Sequence, residues 1–147
     1  MDDTTGSTKQ EQALVAIKPS ELHQFWRVIA PGIAQARCHS GSNWIPEDIY
    51  AALRAGHSQL FIGYVECAYA GFAITTLVPG FSGPDLHFWI VFNASKHDVI
   101  ARFMGEFEKM AESAGAKRMT FWSKRHWARR LRNYGFEVSQ TEFVKEL

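Results

Sequence analysis

The run Ile49-Tyr50-Ala51-Ala52-Leu53-Arg54-Ala55-Gly56-His57-Ser58-Gln59-Leu60-Phe61-Ile62-Gly63-Tyr64-Val65 changes its apolar period partway along. Ile49, Ala52 and Leu53 recur at helical spacing, and Gly56 is a natural stop, since a helix commonly ends on a left-handed residue. Ile45-Pro46-Glu47-Asp48 marks the start of that helix, with proline near its first position and two carboxylates against the positive end of the dipole. From Gln59 the apolar residues become continuous, as in a buried strand over Leu60 to Val65. A turn near Glu66 to Tyr69 and a second apolar run, Gly71 to Val78, complete a β-hairpin. A helix feeding directly into a hairpin points to an α/β domain.

Upstream, Ala13 to Ile17 predicts a short edge strand. Pro19-Ser20, with Glu21 in the first turn, starts a helix whose apolar stripe is Leu22, Phe25, Trp26 and Ile29. Pro31-Gly32 is expected to end it, and a second short helical stretch through Ala36 leads into the polar loop Cys38 to Asn43, a candidate lid. Downstream, Pro79, Gly80, Gly83 and Pro84 mark a loop. Leu86 to Asn93 is apolar on both faces, as a central strand covered by helices on each side must be. Ile100, Phe103, Phe107, Met110 and Ala114 predict one helix over His97 to Ala114, closed by Gly115. Met119 to Trp122 reads as a strand. Ser123 can cap a helix through Tyr134 that buries Trp127, Leu131 and Tyr134, and Phe136 to Leu147 is read as one or two final strands.

The chain has 147 residues, 46% of them hydrophobic and 14% aromatic, enough for a core without disulfides or metal. Residues 13–147 read as a single domain. Met1 to Gln12 is polar, lacks the apolar segment of a signal peptide, and is read as a flexible N-terminal arm, 1–12. The apolar runs are too short for a bilayer, so a cytoplasmic protein with no membrane partner is expected. Cys38 and Cys67 have neither CxxC spacing nor neighbouring histidines, which argues against a metal site. The net charge of +1 hides an asymmetry: Lys117, Arg118, Lys124, Arg125, Arg129, Arg130 and Arg132 fall between Ser113 and Phe136, where there is no acidic residue.

This order of elements resembles the GNAT superfamily of N-acetyltransferases. The local matches are the passage quoted above, Gly71-Phe72-Ala73 on the next strand, and Asn133-Tyr134-Gly135-Phe136-Glu137 near the end. The resemblance implies a GNAT-like fold, a mixed, mostly antiparallel twisted sheet of six to seven strands with helices on both faces. It also implies N-acyl transfer from acetyl-CoA or another acyl-CoA to a small-molecule or peptide amine. The family holds the pyrophosphate with a Q/R-x-x-G-x-G/A loop at a helix N-terminus, where free amides and the helix dipole favour anions. Here the corresponding stretch, Asn93 to Val99, has no glycine. The resemblance assigns the cofactor to Ile90, Phe92, Lys96, His97, Asp98 and Val99, while Ser95 or Asp98 also reads as a plain helix cap.

In the family's last helix a tyrosine protonates the leaving thiolate; that position falls on Leu131, which has no proton to give, and Tyr134 is the nearest substitute. Candidates for a base are His87 and Asp85 on the central strand and Glu66 in the hairpin turn. The expected catalytic set is His87, Tyr134 and Glu66, with no metal. An enzyme should show an open wedge beside Phe92, free amides over Lys96 to Val99 and a polar pocket near His87.

The eroded loop is also similar to that of the small GNAT-like proteins of tailed bacteriophages. This leaves open a non-catalytic role in virion assembly or host interaction, in the host cytoplasm or the virion. The wedge would then be plugged by Phe92, Trp89 or Phe103. Arg125, Arg129 and Arg132, with Trp122 nearby, would meet an acidic protein or nucleic acid.

Overall fold

The computed structural model describes residues 11–40, 43–122 and 125–147. Most of the proposed arm, part of the proposed lid, and Ser123 and Lys124 lie outside the described residues, as do the side chains of 39, 40, 125 and 126. The strands are β1 (Gln12–Ile17), β2 (Gln59–Val65), β3 (Ala68–Val78), β4 (Asp85–Asn93) and β5 (Arg118–Phe121). The helices are α1 (Leu22–Ser40, entered through a 3-10 turn at Pro19–Glu21), α2 (Pro46–Ala55), α3 (Val99–Arg102), α4 (Met104–Ser113) and α5 (Arg125–Asn133).

One mixed sheet runs in the order β1-β2-β3-β4-β5. The first four strands are antiparallel neighbours, with Ile17 opposite Leu60, Leu60 opposite Ile74 and Thr76 opposite His87. β5 lies parallel to β4, from Asp85 opposite Arg118 to Phe88 opposite Phe121. A parallel neighbour requires a crossover, and α3 and α4 are carried on it. The two faces bury separate cores. Leu60, Ile62, Phe72, Ile74 and Ile90 meet Leu22, Ile29 and Ile33 of α1 and Ile49 and Leu53 of α2. Phe61, Ala73, Leu86 and Phe88 meet Val99, Ile100, Phe103, Phe107 and Ala111 on the other side.

The helix-to-hairpin passage folds as its periods predict: α2 stops at Gly56, which takes a φ of 81°. Three features differ from expectation. Among the described residues the sheet has five strands rather than six to seven, because Phe136 to Leu147 forms none. Among the described residues, no backbone hydrogen bond holds Glu137 to Leu147, and Val138, Phe143, Val144 and Leu147 are exposed. Apolar alternation makes a strand only where a neighbouring edge takes its backbone groups.

The first helix also does not end at Pro31-Gly32 but continues to Ser40. Proline removes only one helical bond, and the missing side chain at Gly32 lets the helix sit on the sheet: a Cβ there would lie 2.7 Å from both Phe72 Cε2 and Phe92 Cδ2. Finally, the helix expected over His97 to Ala114 is two helices with a break at Phe103, whose ring is fully buried over Gly63 of β2.

Candidate active site at the split between β4 and β5

β5 ends at Phe121, opposite Phe88, whereas β4 continues to Asn93. Beyond that level, among the described residues, the outer edge of β4 has no strand beside it, and its outward backbone N–H groups are left for another acceptor. At the same level β4 bulges. Ile74 pairs with Ile90 and Thr75 with Phe88, so Trp89 has no partner on β3. Trp89 and Ile90, consecutive in sequence, consequently both pack toward the α1 and α2 face. Trp89 meets Trp44 edge-on at 6.4 Å between ring centroids.

His87 lies two residues before the bulge. Leu86 and Phe88 point into the α4 core, so His87 faces the α1 and α2 side, where it is 8% exposed. Its Nδ1 is 2.8 Å from Thr120 Oγ1 of β5. Trp122, just past β5 and exposed, meets the imidazole at a ring-centroid distance of 4.8 Å. Burial pushes the imidazole below its usual range, opposed by the nearby Asp85 carboxylate. Asp85 is itself held low by its hydrogen bonds to Arg118, at 3.1 and 2.6 Å. On the other flank Thr76 stands opposite His87 and shares a 2.7 Å hydrogen bond with Ser58. A polar row, Ser58, Thr76, His87 and Thr120, thus crosses the sheet below the split.

The loop after β4 is organised by its own side chains. Asn93 Oδ1 accepts from the Val99 amide at 2.9 Å, and Asp98 Oδ1 caps α3 by accepting from Ile100 and Ala101. The His97 amide donates to Ser95 Oγ. Of the amides assigned from sequence to anion binding, those of Lys96 and Asp98 have no protein acceptor among the described residues. His97 Nδ1 lies 2.9 Å from Arg102.

The structure separates the three residues expected to act together. Glu66 is exposed at the hairpin tip, with its amide bonded to Glu11 O. Ala68 to Thr76, nine residues of β3, span roughly 25 Å, so Glu66 and His87 cannot serve one acceptor. Tyr134 donates its hydroxyl to Asp98 Oδ2 at 2.6 Å, with Arg130 Nε 3.7 Å from the same oxygen. Partial burial, then the bond to Asp98, push the Tyr134 hydroxyl up to about 12. Ile90 is buried in the core. Phe92 lies on Gly32 and Phe72, on the α1 side of β4, while Phe103 sits over β2, away from the split. Arg129 and Arg132 are exposed, Arg130 stacks over Trp127, and the side chain of Arg125 is outside the described residues.

No family model and no curated protein matches the sequence. Solved structures do. The chain is similar to ribosomal-protein-alanine N-acetyltransferase from Brucella melitensis biovar Abortus 2308, with 14% identity and a TM-score of 0.67 over 93% of this chain and 99% of the other. The fold is that of the GNAT acetyltransferases. An aminoglycoside N-acetyltransferase in complex with CoA shares it at 14% identity and a TM-score of 0.65, over 93% and 95% of the two chains. So does an aminoglycoside acetyltransferase from an uncultured soil metagenomic sample in complex with sisomicin, at 11% identity and 0.66, over 92% and 96%. Among the described residues no helix is long and apolar enough to cross a membrane.

Within this GNAT fold, the sequence offered His87 as a candidate and set Trp122 beside the basic helix, while Thr120, the Asn93 bond and the bulge at Trp89 went unmarked. Thr120 carried no local signal, because its meaning comes from a parallel register across 33 positions of sequence. Asn93, six residues ahead of Val99, lies outside the N-cap position that Asp98 holds, so no local signal marked its bond to the helix start.

Proposed function

We propose that this chain is a GNAT-type N-acyltransferase that transfers an acyl group from acetyl-CoA or another acyl-CoA to an amine of a small molecule or peptide. The observation that carries this reading is the coincidence of the split after Phe88–Phe121, the bulge at Trp89 and the buried imidazole of His87 at one level of the sheet. Aminoglycoside acetyltransferases of the same fold support an amine as acceptor.

The residues present fit the cofactor unevenly. The open edge of β4 suits the thioester end. At the phosphate end, the free amides of Lys96 and Asp98 and the side chains of Lys96, His97 and Arg102 favour an anion, while the Asp98 carboxylate at the start of α3 opposes one. The fit is therefore to weaker binding than a glycine-bearing loop achieves. When bound, an acyl-CoA supplies an activated thioester carbonyl. The chain supplies the rest: outward N–H groups on β4 beside the bulge to polarise the carbonyl oxygen, and His87, neutral near pH 7, to take the proton of the attacking amine. Tyr134 clamps the loop through Asp98.

Calorimetric titration of acetyl-CoA and of free CoA tests the reading, with a thermal-shift scan beside it. Saturable binding in the micromolar range, followed by amine-dependent release of free thiol, is the expected result. No binding at millimolar CoA overturns it. A second reading rests on Asp98, whose carboxylate occupies the helix start with Tyr134 and Arg130 as partners. In that reading the chain is a cofactor-free interaction protein, like the GNAT-like proteins of tailed phages, presenting Arg129, Arg132 and Trp122 to an acidic protein or nucleic acid.

A further inference from the structure

The polar row below the split contains a second residue for the chemistry. His87 and Thr120 are direct partners across the β4–β5 pair, on the same face, with Nδ1 and Oγ1 2.8 Å apart. His87 is buried, and among the described residues its Nε2 has no hydrogen-bond partner. Two neutral tautomers are available. With the proton on Nε2, Nδ1 accepts from the Thr120 hydroxyl and no lone pair is left for an incoming proton. With the proton on Nδ1, that N–H donates to Thr120 Oγ1 and the Nε2 lone pair is left open to take a proton. The same bond persists when Nε2 gains a proton, because Nδ1–H goes on donating to Oγ1.

The other groups around the imidazole do not compete for this role. Asp85 on β4 is engaged by Arg118 of β5 in two hydrogen bonds. Thr76, opposite on β3, is uncharged and bonded to Ser58. Trp122 lies against the ring, at 4.8 Å between centroids.

We propose that Thr120 is a positioning residue for acyl transfer: its hydroxyl holds His87 in the Nδ1–H form and presents Nε2, beside Trp122, to the acceptor amine at the mouth of the β4–β5 split. This rests on the acyltransferase reading. In the step it serves, the amine nitrogen forms a bond to the thioester carbonyl carbon as the carbon–sulfur bond breaks. The amine proton passes to Nε2 and then to solvent, and the thiolate regains a proton from solvent, leaving an amide and a free thiol.

The test has two arms. Long-range nitrogen–proton NMR of the imidazole, with no ligand present, reads the tautomer in the wild type, Thr120→Val and Thr120→Ser. The Nδ1–H form is expected in the wild type and in Thr120→Ser, with loss of that bias in Thr120→Val. An Nε2–H form in the wild type, or a tautomer unmoved in Thr120→Val, overturns the proposal whatever the activity. The second arm is the pH profile of kcat/KM with acetyl-CoA and an amine. Thr120→Val should lower its plateau by roughly 10- to 100-fold and displace its acid limb, while Thr120→Ser restores both, since a positioned base contributes on the order of a hundredfold or more. A Thr120→Val profile equal to wild type also overturns it. A wild type with the expected tautomer but no CoA binding instead overturns the acyltransferase reading, and the catalytic role of Thr120 with it.

Discussion

At the scale of single residues, His87 links stability to pH. Its folded-state value lies below the ordinary 6.5 because burial disfavours the cation. The unfolded chain therefore takes up this proton first as pH falls. The stabilisation is full above 6.5 and is lost as pH drops from 6.5 through the lower folded-state value. Urea unfolding between about pH 7.5 and about pH 5 should show a falling midpoint, and His87→Asn should flatten the upper part of that fall. A variant with the same slope as wild type would mean that His87 is solvated. The same depression keeps His87 unprotonated near neutrality, as the proposed role of base requires. His87 was visible as a candidate in the sequence because a histidine inside an apolar strand is unusual, but its partner was not.

Elements were legible where a local period decided them. α2 and the β2–β3 hairpin follow their sequence closely, with Pro46 at the start of the helix and Gly56 at its end. The hairpin tip carries a local conflict. Glu66 and Cys67, the two loop residues between paired Val65 and Ala68, adopt φ of 54° and 66°, a turn that favours Asn-Gly. Neither residue suits the left-handed region. Glu66→Asn with Cys67→Gly should stabilise the protein by roughly 1 kcal/mol and raise Tm by about 2–4 °C in a thermal melt. An unchanged or lowered Tm would show that the Cys67 Sγ contact with Glu11 Oε1, at 3.7 Å, outweighs the backbone gain. Where local signals were outvoted, burial did it. Pro31 fails to stop α1 because the same helix buries Ile29 and Ile33 on the sheet.

Across the whole molecule, the end of the chain is tied to the loop after β4. Tyr134 and Arg130 converge on Asp98, and Phe121 of β5 is covered by Trp127 and Phe136. Tyr134→Phe removes a hydrogen bond to a carboxylate and should cost about 1.5 kcal/mol in urea unfolding. Asp98→Asn keeps a capping side chain but removes the charge, and should tighten acetyl-CoA binding by roughly fivefold in calorimetry, the effect of one like charge near a phosphate in water. Weaker binding in Asp98→Asn would place the phosphates elsewhere. The α/β class, the hairpin with its feeding helix and the central strand were legible in the chain alone, because each depends on a period or a punctuation residue within a few positions. Tertiary structure alone decided the bulge at Trp89, the split after Phe88, the pairing of His87 with Thr120 and the absence of strands after Phe136. These depend on which strand edges meet and in what register, and that is set by burying aromatic rings such as Phe88, Phe107 and Phe121 together from distant parts of the chain.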